Sequence, residues 1–208
     1  MRAGIAVFTK APVPGQAKTR LMPLLGAEGA AEAQRAMTWK TLETACSVAH
    51  AQVSLWCAGD IDHPFLLECG AHFGVPLLPQ CEGDLGARMA HCLSHLLREH
   101  ERALLIGSDC PAFTADHLMR AIAALDDAHM VFTPAEDGGY VLVGARRGGL
   151  ATACFENMMW SVPEVMNVTR KCLLALEWRR DKDWRELEAL WDVDTPEDYS
   201  RAETLIRS

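Results

Sequence analysis

No apolar run in this 208-residue sequence approaches the ~18 residues that a membrane span needs. The first residues carry one arginine and then a strand-like run, without the apolar core and small-residue cleavage site of a signal peptide. A soluble, unexported, cytoplasmic protein is expected. Positive charge is scarce: 20 Lys and Arg stand against 28 Asp and Glu, for a formal net charge of −8. A duplex-binding protein needs a basic face to displace counterions, so nucleic acid is not expected as a partner. Eight cysteines are present, but no two have C-x-x-C spacing. Neither a zinc site nor a redox motif is indicated, and the cysteines read as small buried hydrophobes in a reducing compartment. Also missing are a G-x-x-x-x-G-K-[ST] phosphate loop and a G-x-S-x-G nucleophile elbow.

What is present is an alternation of strands and helices. Residues 5–9 read as a buried strand, which Pro12, Pro14 and Gly15 break. A long Ala-, Glu- and Leu-rich helix is predicted over 28–49, then a strand over 52–57, a helix over 64–72 and a strand over 75–78. Asp84 is a candidate N-cap for a helix to about 99, and Thr114 for another to about 126. Strands follow at 103–107, 130–133 and 140–143, the last two around an Asp137-Gly-Gly turn. A helix is predicted over 162–177, a last strand over 187–191, and a final helix opened by Thr195 with Pro196 at its first position. With no internal repeat or long linker, residues 1–208 read as one domain. The alternation argues for an α/β fold with a mainly parallel sheet.

In such sheets ligands bind beyond the carboxyl ends of the strands, and the chemistry-bearing residues fall there. Residues 10–20 follow the first strand and carry Lys10, Gly15, Lys18, Thr19 and Arg20. Clustered cations in an acidic chain suit a small anion such as a phosphate, although a solvated loop has the same composition. Asp109 follows the strand ending at Gly107, placed to hold Mg²⁺ beside a phosphate or simply to make a turn. Asp192 and Asp194 share one face of an extended segment and can complete that cation site, while Asp194 or Thr195 can equally cap the last helix. Gly83, Asp84, Gly86 and Arg88 open a helix whose free N–H groups suit an anion. Glu136 to Gly139 reads as a tight turn, with or without a ligand. His91 and His95 have metal-pair spacing but no third ligand, and are set aside.

Taken in order, Phe8 to Gly15, Lys18-Thr-Arg-Leu21, Gly83 to Met89, Ser108-Asp-Cys-Pro111, Asp137-Gly-Gly-Tyr140, Trp160-Ser161 and Asp192 to Asp198 resemble the nucleotide-diphosphosugar-transferase superfamily. Within it the chain is most similar to the branch labelled selenodomain-associated transferases, often called glycosyltransferases. The Lys18-Thr-Arg-Leu, Asp109-x-Pro and Asp192-Val-Asp-Thr-Pro pieces also look like phospholactate guanylyltransferase and its relatives. Ala87, Phe113 and Val162 depart from the branch's usual Glu, Leu and Thr.

The resemblance implies a glycosyltransferase-A, Rossmann-like fold, a three-layer α/β/α sandwich around a mixed, mainly parallel seven-stranded sheet. It implies a nucleotide over the first loop and Mg²⁺ or Mn²⁺ on Asp109 with Asp192 and Asp194. Lys18, Arg20 and Asp109 are then the expected catalytic residues. Lys10, Gly15, Lys18, Thr19, Arg20, Gly83, Asp84, Gly86 and Arg88 are expected at the nucleotide. Asp137, Gly138, Gly139, Tyr140, Trp160 and Ser161 are expected at an acceptor pocket. The expected activity is nucleotidyl transfer from a nucleoside triphosphate to a small phosphorylated acceptor. The alternatives are glycosyl transfer from a nucleotide sugar, against which stands the Ser-Asp-Cys run where such enzymes commonly have D-x-D, and non-catalytic nucleotide binding. Oligomeric state stays open, a homodimer included.

Overall fold

A computed structural model describes residues 3–207. The elements run in order β1 (Ala3–Lys10), α1 (Met22–Cys46), β2 (Ala51–Ala58), α2 (Pro64–Phe73), β3 (Leu77–Pro79), α3 (Leu85–Glu99), β4 (Arg102–Gly107), α4 (Ala115–Ala124), β5 (Met130–Pro134), β6 (Tyr140–Arg146), α5 (Val165–Ala175), β7 (Trp184–Glu186) and α6 (Pro196–Arg207). They form a seven-stranded sheet of order β3-β2-β1-β4-β6-β5-β7. β1 pairs in parallel with β2 and β4, β2 with β3, and β5 with β7. β6 alone runs against its neighbours β4 and β5. This is the mixed, mainly parallel α/β sheet expected. Among the described residues, no helix is long and apolar enough to cross a membrane.

Side chains alternate across a strand, so each buried strand serves two cores. Ile5 and Val7 of β1, with Leu104 and Ile106 of β4, pack against Leu42 of α1, Phe65 of α2 and Leu118 of α4. Ala6 and Phe8, with Ala103 and Leu105, face the other way onto Met89 and Leu93 of α3 and Met166 and Leu173 of α5. These are the three layers. A smaller core joins Leu21, Ala30 and Met37 to Val193 and Ala202, and so fastens α6 to α1.

Three caps were legible in the sequence. Asp84 accepts a hydrogen bond from the Ala87 amide at the start of α3, and Thr114 accepts from the His117 amide at the start of α4. At α6, Thr195 and Asp198 cap each other: the Thr195 amide donates to Asp198 at 2.8 Å, and the Asp198 amide donates to Thr195 at 3.3 Å.

Several boundaries differ from expectation, three of them for a visible reason. α1 begins at Met22, six residues early, but Gly26 (φ 69°, ψ 176°) breaks it, so the regular helix starts close to where it was predicted. α5 begins at Val165 rather than 162, because Val162 to Glu164 form a turn led into by Ser161 at φ 62°. The last strand is Trp184–Glu186, not 187–191. The 187–191 segment still follows β5: the Leu187 amide donates to Phe132 O and the Leu190 amide to Pro134 O. A regular ladder cannot continue there, because Pro134 has no N–H and the β5–β6 register shifts at Thr133/Pro134.

Candidate active site

The carboxyl ends of β1 and β4 lie on one edge of the sheet. Because β6 is antiparallel, its beginning lies there too. Residues following β1 and β4, the turn leading into β6, and the segment before α6 therefore meet. Together with residues of α1, α3 and the segment before α5, they line a cavity of about 530 Å³.

The centre of the site is an ion-pair node. The loop after β1 folds on itself, with the Gln16 and Ala17 amides donating to Val13 O at 3.0 Å. Ala17 is fully buried, and Lys18 adopts a left-handed conformation (φ 44°, ψ 48°). That unusual backbone, costly for a residue with a Cβ, turns the Lys18 side chain inward. Its Nζ donates to Asp109 Oδ2 at 3.1 Å, to Asp194 Oδ1 at 3.1 Å and to Val193 O at 2.7 Å. All three ammonium hydrogens are used, and the Lys18 side chain is only 10% exposed. Burial alone would pull its pKa down. The charges of Asp109 and Asp194, with their hydrogen bonds, outweigh that and hold it above the ordinary lysine value.

The carboxylates are placed by backbone. The Val193 amide donates to Asp109 O at 2.9 Å, tying the 192–194 segment to the end of β4. Val193 points into the α1–α6 core, which leaves Asp192 and Asp194 on the opposite side of the extended chain. A Cβ on Gly107 would stand 2.6 Å from Asp109 Oδ1, so the bare glycine gives that carboxylate its room over the strand end. Ligand atoms of Asp109, Asp192 and Asp194 all lie within 4.8 Å of one another. Among the described residues, no cation forms an ion pair with Asp192. Burial, then the charges of Asp109, Asp137 and Asp194, push its pKa up to about 7.

Beneath this node lies a buried polar cluster that sequence reasoning missed. Gln34 Nε2 of α1 is 3.2 Å from Thr9 Oγ1, 3.1 Å from Thr38 Oγ1 and 3.1 Å from Ser108 Oγ. Ser108 also donates to Thr9 Oγ1 at 3.1 Å. The cluster locks the ends of β1 and β4 to α1 and so fixes Asp109 laterally. Its signal was available: Gln34, Thr38 and Thr41 occupy the same i, i+4, i+7 stripe as the apolar contacts of α1.

Of the expected nucleotide residues, Lys10, Lys18, Thr19, Arg20 and Arg88 line the cavity. Arg20 Nη1 donates to Asp194 Oδ2 at 3.2 Å but remains 69% exposed. Lys10 Nζ reaches back to Gln16 O at 3.0 Å. Arg88 Nη1 donates to Gln80 Oε1 at 3.3 Å, and Gln80 Nε2 donates to Trp56 O and Thr9 O. Gly15, Gly83, Asp84 and Gly86 do not line the cavity. Asp84 caps α3, and Gly86 lets that helix approach the backbone of Phe155, whose carbonyl oxygen lies 2.1 Å from where a Cβ would be.

On the opposite wall, Asp137, Gly139, Tyr140, Trp160 and Ser161 line the cavity, and Gly138 does not. Asp137 Oδ1 accepts from the Gly139 amide at 2.9 Å and holds the turn closed. Gly138 sits at φ 94°, and a Cβ on it would meet Pro163 O at 2.0 Å. Its carbonyl accepts from the Met166 amide at 2.9 Å. Gly138 thus joins the turn to the start of α5. Gly138→Ala is expected to cost about 2–4 kcal/mol, from backbone strain plus a clash with an unyielding carbonyl. Urea unfolding checks this, and a change under 1 kcal/mol contradicts the close approach. Tyr140 and Trp160 meet edge to face with centroids 6.4 Å apart. Glu136 turns away into a pair with Arg201 at 2.8 Å.

Comparisons with known proteins fit this architecture. A search of curated protein sequences gives no match. Among solved structures, the chain is similar to a "putative nucleotide-diphospho-sugar transferase" from Desulfovibrio desulfuricans G20, at 25% identity and a TM-score of 0.84, over 100% of this chain and 98% of that one. It is similar in fold to a nucleotidyl transferase from Methanothermobacter thermautotroptrophicus (14% identity, TM-score 0.68, 99% and 98% covered). It is also similar in fold to a Mycobacterium tuberculosis H37Rv protein solved in complex with manganese (18% identity, TM-score 0.57, 99% and 98% covered). The fold is that of the nucleotide-diphosphosugar-transferase superfamily, as the sequence resemblance implied. A family model described as "Uncharacterized protein conserved in bacteria (DUF2064)" matches residues 41–162, more than half of the sequence, and the chain belongs to that family.

Proposed function

We propose that the protein is a metal-dependent transferase acting on a nucleotide-activated substrate, and that it transfers a nucleotidyl group from a nucleoside triphosphate to a small phosphorylated acceptor. The observation that carries this reading is the convergence of three carboxylates and a cationic loop at one side of the cavity.

The residues fit a hard divalent cation. The donor set is all carboxylate oxygen, which suits Mg²⁺ or Mn²⁺. The site already favours positive charge, since the Lys18 ammonium bridges two of the carboxylates. Asp109, Asp192 and Asp194 would hold the ion, which when bound neutralises phosphate charge and polarises the phosphoryl oxygens.

The chain's own groups then divide the work. Arg20, Lys10 and Arg88 bind phosphate oxygens, Arg20 and Arg88 through planar guanidinium forks. Lys18 positions Asp109 and Asp194. The Tyr140 and Trp160 wall orients the acceptor. An acceptor phosphate oxygen attacks the α-phosphorus, the α–β bridging P–O bond breaks, and pyrophosphate leaves towards the cations. Such a reaction gains mostly from positioning and charge stabilisation.

A second reading, glycosyl transfer from a nucleotide-diphosphate sugar, is favoured by the name of the Desulfovibrio structure. Incubation with Mg²⁺, nucleoside triphosphates, nucleotide sugars and candidate acceptors separates the two. Release of pyrophosphate supports the first reading, and release of a nucleoside diphosphate supports the second. Absence of any thermal shift with every nucleotide overturns both.

The Asp192 proton gives a pH prediction. Its folded-state pKa lies near 7, above that of an unfolded carboxylate. The stability linked to it is therefore present below about pH 4 and lost as pH rises through 7 in metal-free protein. A bound cation requires the proton to leave, so Mn²⁺ affinity should rise about tenfold from pH 6 to 8 and then level off. Calorimetric titration measures this, and Asp192→Asn should flatten the profile.

A further inference from the structure

A pair of thiols lies in the core next to the cavity, outside its lining and apart from the ion-pair node. Cys154 belongs to the short 3₁₀ turn Thr152–Phe155 and is 1% exposed. Cys172 lies on α5, is partly exposed, and packs against the same core. Their sulfurs are 3.1 Å apart, with the Cys154 thiol donating to Cys172. No other two thiols among the described residues make a hydrogen bond to each other. We infer that Cys154 and Cys172 are a redox pair whose oxidation to a disulfide clasps the cavity wall between them.

The two cysteines bracket the stretch that matters. Residues 155–171 include Trp160, Ser161, Val162 and Val165, all of which line the cavity. This stretch is also unusual in its backbone, with Asn157 at φ 54° and Ser161 at φ 62°. Its two ends, the 3₁₀ turn and α5, pack in one core, where the S–H···S contact links them. A covalent bond would close them into a ring and remove relative motion of the two ends. The Trp160 indole N–H, buried with no partner among the described residues, sits within this ring.

The oxidant is a hydroperoxide. The Cys172 thiolate attacks a peroxide oxygen, an S–O bond forms, the O–O bond breaks, and an alcohol or water leaves. Cys154 sulfur then attacks the Cys172 sulfenic acid. The S–S bond forms, the S–O bond breaks, and the Cys154 proton leaves with the hydroxyl as water. Two thiols lose two electrons to the peroxide in all. The order follows exposure: Cys172 is partly exposed, and Cys154 is buried. Burial holds the Cys154 thiol far above its ordinary pKa, which suits it to wait rather than to attack first.

The test treats the reduced protein with hydrogen peroxide in a Cys46→Ser background, because Cys46 is exposed and invites intermolecular linkage. The expected product is about 2 Da lighter, yields a linked peptide joining 154 and 172, and reverts with dithiothreitol. Its melting temperature should rise by about 4–10 °C, with slower amide exchange across 156–164. Cys172→Ser, at a partly exposed position, should abolish both the link and the shift. If Cys172 instead gains about 32 Da as a sulfinic acid with no link to Cys154, the pair is not a redox couple. A link that forms without changing melting or exchange overturns the clasp. Neither outcome depends on nucleotide chemistry.

Discussion

Asp109→Asn is expected to lower turnover by about 10³-fold or more while leaving the fold intact. Asp109 is the carboxylate that closes β4 onto the cavity and joins both other acidic positions. The amide keeps its shape, so the Val193–Asp109 backbone hydrogen bond and the buried cluster below it are undisturbed. What is lost is one negative charge at the point where a divalent ion would sit. Mn²⁺ affinity should therefore fall at least about tenfold alongside turnover. Lys18 keeps its hydrogen bonds to Asp194 and to Val193 O, so the loss of stability should stay within about 1 kcal/mol. Turnover that survives undiminished would show that the metal is held elsewhere. Loss of activity with a collapse in stability would show that Asp109 is structural.

The second large effect concerns Lys18→Met, which keeps the aliphatic stem and removes the charge. Two carboxylates would then face each other with no shared cation. In protein treated with EDTA, the expected loss is about 1–3 kcal/mol, less than for a fully buried pair because Asp109 and Asp194 are 37% and 41% exposed. That corresponds to a fall of about 3–10 °C in melting temperature. Adding Mg²⁺ or Mn²⁺ should recover most of it, because the ion supplies the charge the lysine supplied. The variant should bind the ion more tightly than the wild type, since no ammonium has to be displaced or shared. Turnover should still fall, through loss of alignment between the 192–194 segment and the first loop. A melting temperature insensitive to the ion in both proteins contradicts the shared site.

The parts of the site that could be read from the sequence are those whose chemistry is local. Lys18, Asp109 and Asp192–Asp194 stand out because charge follows a buried strand or precedes a capped helix, and the structure brings them within hydrogen-bond or ligand distance. Their pairing could not be read, because sequence shows that Lys18 is a cation but not that two acids and a backbone carbonyl would occupy its donors. Glycine was the most misleading residue. Gly86 and Gly138 suggested backbone approaching a ligand, and each instead lets backbone approach backbone, at Phe155 and Pro163. The two uses leave the same letter in the sequence. The last strand was misplaced because 187–191 has the apolar character of a strand, while the decisive obstacle, Pro134, lies on its neighbour. Gln34 was overlooked inside an Ala-rich helix because its partners Thr9 and Ser108 come from two separate strands.

The ion-pair node also bears on how the molecule folds. Lys18 and Asp194 are 176 positions apart, and Lys18 and Asp109 are 91 apart. Contacts of that span close large loops, and their entropic cost is met only after the intervening sheet has formed. The node should thus be among the last interactions made on refolding and among the first lost when α6 detaches. In a stopped-flow experiment, Mn²⁺ binding would follow the slowest folding phase rather than an early collapse. The cation site would then serve as a reporter of global assembly.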